Sequence, residues 1–185
     1  MALGERPAGM QYFPRGDVDA ITVVASADAP GGRCLRFQDR PDFANRYDPH
    51  AVVRLNHESG TSVGEFSLLI DSRSDFVHEW RDDAKPYRVG PSLRVGAQGV
   101  MVAGRIVAPT QVGEWMHFRI VAPLGAAAGK WRLEIRDARG KTRVIDDLAN
   151  TSPSWGALRW SGFISDSAVR STACVADVRF YSKLN

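Results

Sequence analysis

The densest set of chemically versatile side chains lies between Phe76 and Val95, FVHEWRDDAKPYRVGPSLRV. His78, Glu79, Trp80, Arg81, Asp82, Asp83, Tyr87, Arg88 and Arg94 all fall within this stretch. The mixture suits saccharide recognition: an aromatic face stacks against sugar C–H groups, while carboxylates and guanidiniums hydrogen-bond to hydroxyls. On a strand through residues 77–82, His78, Trp80 and Asp82 share one face and Val77, Glu79 and Arg81 the other. With Val77 turned inward, Glu79 and Arg81 form a buried ion pair, which is costly unless well hydrogen-bonded. His78, Trp80 and Asp82 then line the open surface, and the candidate binding row rests on this arrangement. The opposite parity makes Trp80 a core aromatic and Glu79–Arg81 a structural pair.

A second row, Trp115, His117 and Arg119, alternates with the apolar Met116, Phe118 and Ile120. If its strand neighbours the 77–82 strand, the two rows make one ligand face, with Tyr87 and Arg94 contributing from the first segment. Catalysis asks for more. Hydrolysis of a glycosidic bond needs two carboxylates about 5–9 Å apart, for which Glu79 with Glu58 or with Asp82 are the candidates. A lyase needs a base such as His117 or Tyr87 beside a neutralising Arg94 or Arg119. No spacing demands either pair, so binding without catalysis is expected. His50, after a proline, and His57, at a strand end, read as ordinary solvated positions.

The elements that must position these rows are strands. Short alternating runs recur along the chain at residues 21–24, 33–38, 51–56, 64–71, 77–82, 92–95, 100–103, 115–121, 131–135, 143–148, 158–164 and 174–181. Turn signals separate them, such as Asp28-Ala29-Pro30-Gly31-Gly32, Gly96-Ala97-Gln98-Gly99 and Asp137-Ala138-Arg139-Gly140. No amphipathic helix is evident; LGAAAGK (124–130) is too short and glycine-bounded to be one. The pattern is that of an all-β, two-sheet antiparallel β-sandwich, a jelly roll, in one domain over residues 1–185. Residues 1–19, punctuated by Pro7, Gly9, Pro14 and Gly16, read as an irregular lead-in.

Composition narrows the partners. Twenty-four basic residues against 21 acidic ones give a formal charge of +3. The arginines are scattered beside acids rather than gathered on one stripe, which argues against nucleic acid. No apolar run approaches the length of a membrane span. The opening MALGERPAGMQ lacks a basic region followed by an apolar one, so it is not a secretory signal. This leaves a cytosolic protein or a module of a longer secreted chain, and the abrupt start favours the module, extracellular or periplasmic in its parent. Cys34 and Cys174 show no metal-ligand spacing. Lying in strand-like runs near opposite ends, they are open to a disulfide or to two buried thiols, of which the thiols are expected.

Gly113-Glu114-Trp115-Met116-His117-Phe118, Gly129-Lys130-Trp131-Arg132-Leu133-Glu134-Ile135, Leu158-Arg159-Trp160-Ser161-Gly162-Phe163 and Ala176-Asp177-Val178-Arg179-Phe180 resemble consecutive strands of the concanavalin A-like lectin/glucanase superfamily. More narrowly, Cys34-Leu35-Arg36-Phe37-Gln38-Asp39, Asp48-Pro49-His50, HEWRD and PYRVGPSL resemble modules at the C-terminal end of large secreted bacterial proteins, often built for polysaccharide breakdown. The narrower resemblance spans most of residues 6–182. The superfamily resemblance implies a jelly roll, while the narrower module brings no function with it; joined to the chemistry of the 76–95 cluster, the expectation is an accessory module that takes a polysaccharide on its concave sheet. The superfamily's hydrolases and lyases supply the alternative, and a purely structural spacer is a third reading. The resemblance also implies a position at Asp177 where related modules hold structural calcium; no other cofactor is expected. The ExDxxE strand of laminarinase-like glycosidases, the RxELR and QIH motifs of jelly-roll alginate lyases and the paired histidines of cupins are all missing, which weighs against those chemistries.

Overall fold

The computed structural model describes residues 3–4 and 6–183; Met1 and Ala2, the abrupt start noted above, lie outside them. Its strands, numbered β1 to β14 in chain order, form two seven-stranded sheets. The first runs β1 (Met10–Phe13), β4 (His50–His57), β13 (Leu158–Ser165), β6 (Asp75–Arg81), β7 (Val89–Gly96), β8 (Gly99–Val102) and β9 (Arg105–Ala108). The second runs β12 (Thr142–Ala149), β11 (Lys130–Arg136), β10 (Met116–Pro123), β5 (Thr61–Ile70), β14 (Ser171–Lys183), β3 (Arg33–Asp39) and β2 (Ile21–Ala25). All pairings are antiparallel, and half of them join strands distant in sequence, among them β5 with β10 and with β14 and β13 with β4 and with β6. No helix among the described residues is long and apolar enough to cross a membrane.

Two strands depart from expectation. Met10–Phe13 in the lead-in pairs with β4, because Tyr12 turns inward against the core while Phe13 stacks on His50 at 4.5 Å. Arg105–Ala108 closes a further hairpin on β8. The Gly96–Gly99 connection is the tight turn expected, with Ala97 and Gln98 between β7 and β8. LGAAAGK holds only a three-residue 3-10 turn, Gly125–Ala127.

Alternation builds the core between the sheets. Phe66, Leu68 and Ile70 from β5 and Phe118 and Ile120 from β10 meet Phe76 and Trp80 from β6 and Phe163 from β13. Phe66 stacks on Phe118 at 5.1 Å and meets Phe163 edge-on at 5.3 Å, geometries that favour ring quadrupoles. Gly64 is required here: a Cβ would lie 2.6 Å from the Trp80 ring and 2.8 Å from Phe180.

Cys34 and Cys174 form a disulfide, not the two thiols expected. Antiparallel pairing of β3 with β14 places their Cα atoms 5.6 Å apart on the outer side of the second sheet, within reach of a bridge. Ala29, Ala176, Val24 and Trp115 pack around it.

Candidate functional site

The parity of β6 is the reverse of the one the candidate binding row requires. His78 and Trp80 are wholly buried and Asp82 is 5% exposed, so none of them lines an open surface. The physical reason is that Phe76, His78 and Trp80 together offer more apolar area to the core than Val77 alone. Trp80 Nε1 donates to His78 Nε2 at 3.0 Å, and the imidazole sits 4.5 Å from both Phe66 and Phe163. Burial drives its pKa down to about 3, with a smaller opposing effect from the Gly162 backbone. His78 is therefore a neutral core residue.

Asp82 anchors the β6–β7 connection. It accepts the backbone N–H groups of Ala84 and Arg88 at 3.1 and 2.8 Å and pairs with the Arg88 guanidinium. Burial alone would raise this carboxyl, but the Arg88 backbone and side chain together with the Ala84 N–H hold it below the ordinary range.

The two predicted rows also fail to meet. β6 belongs to the first sheet and β10 to the second, so the core separates them. On the outer face of the second sheet, Arg119 is gripped by Glu65 and Glu134, each at 3.0 Å, while the Tyr181 hydroxyl donates to Glu65 at 3.1 Å. His117 Nδ1 lies 3.3 Å from Ser67 Oγ, and burial, reinforced by Arg136, lowers its pKa. His117, Arg119, Glu134, Arg136 and Thr142 outline a shallow depression of about 200 Å³. Trp115 stands just before β10 and is half-buried against the disulfide, with Nε1 unpartnered. Arg94 is held by Asp75 and Asp166, and Tyr87 lies over Arg81 rather than beside Arg94.

Asp82 turns inward while Glu79 turns outward, so these two do not share a face, and Glu58 is paired with Arg159; His117 and Arg119 of the lyase pairing do share the depression on the second sheet. Arg119, offered as a neutraliser, sits between two carboxylates that already compensate it. Asp177, the calcium candidate, has φ 51° at a bulge in β14 and pairs with Arg179 at 2.7 Å. Among the described residues no three or more His, Cys, Asp or Glu side chains gather into a metal-holding group.

What the first sheet presents outward is a different cluster. Val77, Glu79 and Arg81 point away from the core. Opposite Arg81 in register is Trp160 of β13, whose indole lies flat along its own strand over Gly162. A Cβ at Gly162 would fall 2.0 Å from that ring, so only glycine permits this pose. The Arg81 guanidinium stands 4.0 Å from the Trp160 ring and 4.3 Å from that of Tyr87, and Glu79 holds it by an ion pair. Trp160 is 8% exposed while Tyr87 is 54% exposed, so Tyr87 offers the accessible aromatic face. Phe13, Val52, Ile164 and Val77 continue the apolar floor. At its β4 end His50 stacks on Phe13, has the Tyr47 ring at 5.6 Å and bonds through Nδ1 to Asp48 at 2.9 Å.

The grouping of Glu79, Arg81 and Trp160 on one outer face, with His50 at its edge, was thus missed. The run Phe76-Val77-His78-Glu79-Trp80-Arg81 held the signal, since assigning its aromatics to the core exposes Glu79 and Arg81. The cross-strand meeting with Trp160 left no trace in local spacing.

A larger cleft than the depression beside His117 lies elsewhere. Past Val175, β14 pairs with β5 alone, and a space of about 750 Å³ opens there between the sheets. Met10, Val53, Leu55, Val178 and Phe180 line it, with Arg33 and Asp177 as its charged members. Its walls are mainly apolar.

No protein-family model matches this sequence, and no curated protein sequence matches it either. Solved structures do. The chain is similar to the alginate lyase AlgAT5 from polysaccharide lyase family 7, with TM-score 0.55 and 12% identity over 92% of this chain and 88% of that one. It is similar to the metal-free lectin I-B4 from Griffonia simplicifolia, with TM-score 0.53 and 12% identity over 94% and 97%. A lectin UEA-II complexed with galactose gives TM-score 0.52 and 12% identity over 95% and 93%. At such identities the likeness is one of fold, and lectins and a lyase share it. Two seven-stranded antiparallel sheets, packed face to face in this topology, make the chain a concanavalin A-like jelly roll.

Proposed function

We propose that the protein binds a saccharide on the outer face of its first sheet without transforming it, as an accessory module of a secreted protein. The observation that carries this is the Tyr87–Arg81–Trp160 stack, with Glu79 fixing the guanidinium. Tyr87 supplies an open ring for C–H stacking. Arg81 and Glu79 supply donors and acceptors already oriented at its edge, so little side-chain freedom remains to be lost on binding. Lectins share the fold, which is consistent with this use. The disulfide suits an oxidising compartment.

A non-catalytic role fits the acids. Glu79, Asp75 and Asp166 are each paired with arginine, so no two free carboxylates face each other across the platform. A glycan array on the protein, followed by product analysis on every hit, tests the reading. Binding without product release is the expected result, and Tyr87→Ala should weaken it at least tenfold while leaving thermal unfolding unchanged. Release of shortened or unsaturated sugars would overturn the non-catalytic reading, and silence across a broad panel would sink binding itself.

A further inference from the structure

Resting on the saccharide reading of this face, the charge arrangement says more about the ligand. Trp160 is the centre of a row that runs straight across three strands: it faces Arg54 of β4 on one side and Arg81 of β6 on the other, all on the outer surface. The two guanidiniums are in different states. Arg81 is neutralised by Glu79, and its flat faces are engaged by two rings. Arg159 on β13 is neutralised by Glu58, and Arg94 on the adjoining β7 by Asp75 and Asp166. Arg54 alone among the described arginines of β4, β13, β6 and β7 has no carboxylate, no ring and no hydrogen-bond partner, and it is exposed.

Other arginines lack a carboxylate too, among them Arg105 on β9 and Arg33 and Arg136 on the second sheet, but Arg54 is the one that stands in register with Trp160 on this face. We infer that the saccharide taken by this face is anionic, its carboxylate or sulfate ester held by Arg54. The guanidinium presents paired N–H groups in the planar fork that matches a carboxylate or sulfate edge. Two strand spacings separate Arg54 from Arg81, about 10 Å. A short oligosaccharide can therefore rest one ring on Tyr87 and reach Arg54 with the charge of another. Glu79 offers little repulsion because Arg81 already compensates it.

The test measures binding of three polymer classes to the wild-type protein, Arg54→Gln and Arg54→Lys at low and moderate salt. The classes are uronate chains (pectate, alginate), a sulfated glucan, and neutral chains (the carboxyl-reduced pectate and a β-glucan). The inference expects wild type to prefer an acidic class, with affinity falling as salt rises. Arg54→Gln should lose at least tenfold on that class, Arg54→Lys should keep part of the affinity, and both should unfold at the wild-type temperature. Comparing the uronate and sulfate arms identifies which anion is held. Equal binding of neutral chains, or unaltered acidic binding in Arg54→Gln, overturns the anionic ligand while leaving saccharide binding intact. Failure of all three classes overturns both.

Discussion

Lowering the pH should unfold this protein through one buried ring. His78 has no exposed surface, is enclosed by Phe66, Phe163, Phe180 and Trp80, and ionises only near pH 3, against an ordinary value near 6.5. A group whose basicity is depressed by folding costs nothing where it is neutral in both states, that is, above its unfolded pKa. Below about pH 6.5 the unfolded chain takes up a proton that the folded one refuses, so stability falls as pH drops, until the folded pKa is reached. The loss from this residue is about 2 kcal/mol at pH 5 and approaches about 5 kcal/mol below pH 3. His57 and His117, also lowered by burial, act in the same direction. The assay is urea unfolding of wild type and His78→Gln at pH 7.5, 6 and 5. Glutamine keeps an acceptor for the Trp80 N–H but cannot titrate, and the contributions of all other groups cancel in the difference. Wild type should lose about 2 kcal/mol more than the variant between pH 7.5 and pH 5. Parallel pH profiles for the two proteins would refute the argument, because they would mean that His78 takes up its proton equally well in the fold.

Gly162→Ala should lift the Trp160 indole off the sheet, costing about 1–3 kcal/mol, altering the near-ultraviolet circular dichroism and abolishing saccharide binding. Replacing Cys34 and Cys174 together by serine should lower the urea midpoint by the equivalent of up to about 5 kcal/mol, because the bridge closes so long a loop in the unfolded chain. Asp82→Asn should cost about 1–3 kcal/mol at pH 7. Since folding lowers the Asp82 pKa, the cost should be present above the unfolded carboxylate value and fade as pH falls through the folded one, as urea midpoints at pH 7 and pH 3 will report.

Alternation made the sandwich legible, because a period of two is local: Phe66-Leu68-Ile70 and Met116-Phe118-Ile120 point inward as their spacing demands. The site was harder to read for two physical reasons. Parity along β6 is decided by one residue, and taking Val77 rather than Phe76 as the inward anchor exchanged every functional side chain for a core one. Sheet membership is decided at long range, since β6 neighbours β13 and β10 neighbours β5. Nothing in either segment records those partners. Trp160, Arg81 and Tyr87 are brought together only by cross-strand register, so the platform exists only once the sheet has formed. Lys and Arg beside Asp and Glu announced many ion pairs, but not which arginines would be left without one.

The bridge between Cys34 and Cys174 also determines how the molecule answers tension. It is a covalent link across 140 positions, joining β3 to β14 within one sheet. A pull entering through residues before Cys34 and leaving through residues after Cys174 passes directly across the sulfur atoms. Roughly 480 Å of potential extension is thereby locked away. Every strand of the first sheet except β1 lies inside the protected loop. Under oxidising conditions that face would carry no load while its flanks were stretched, which would suit the binding role proposed above.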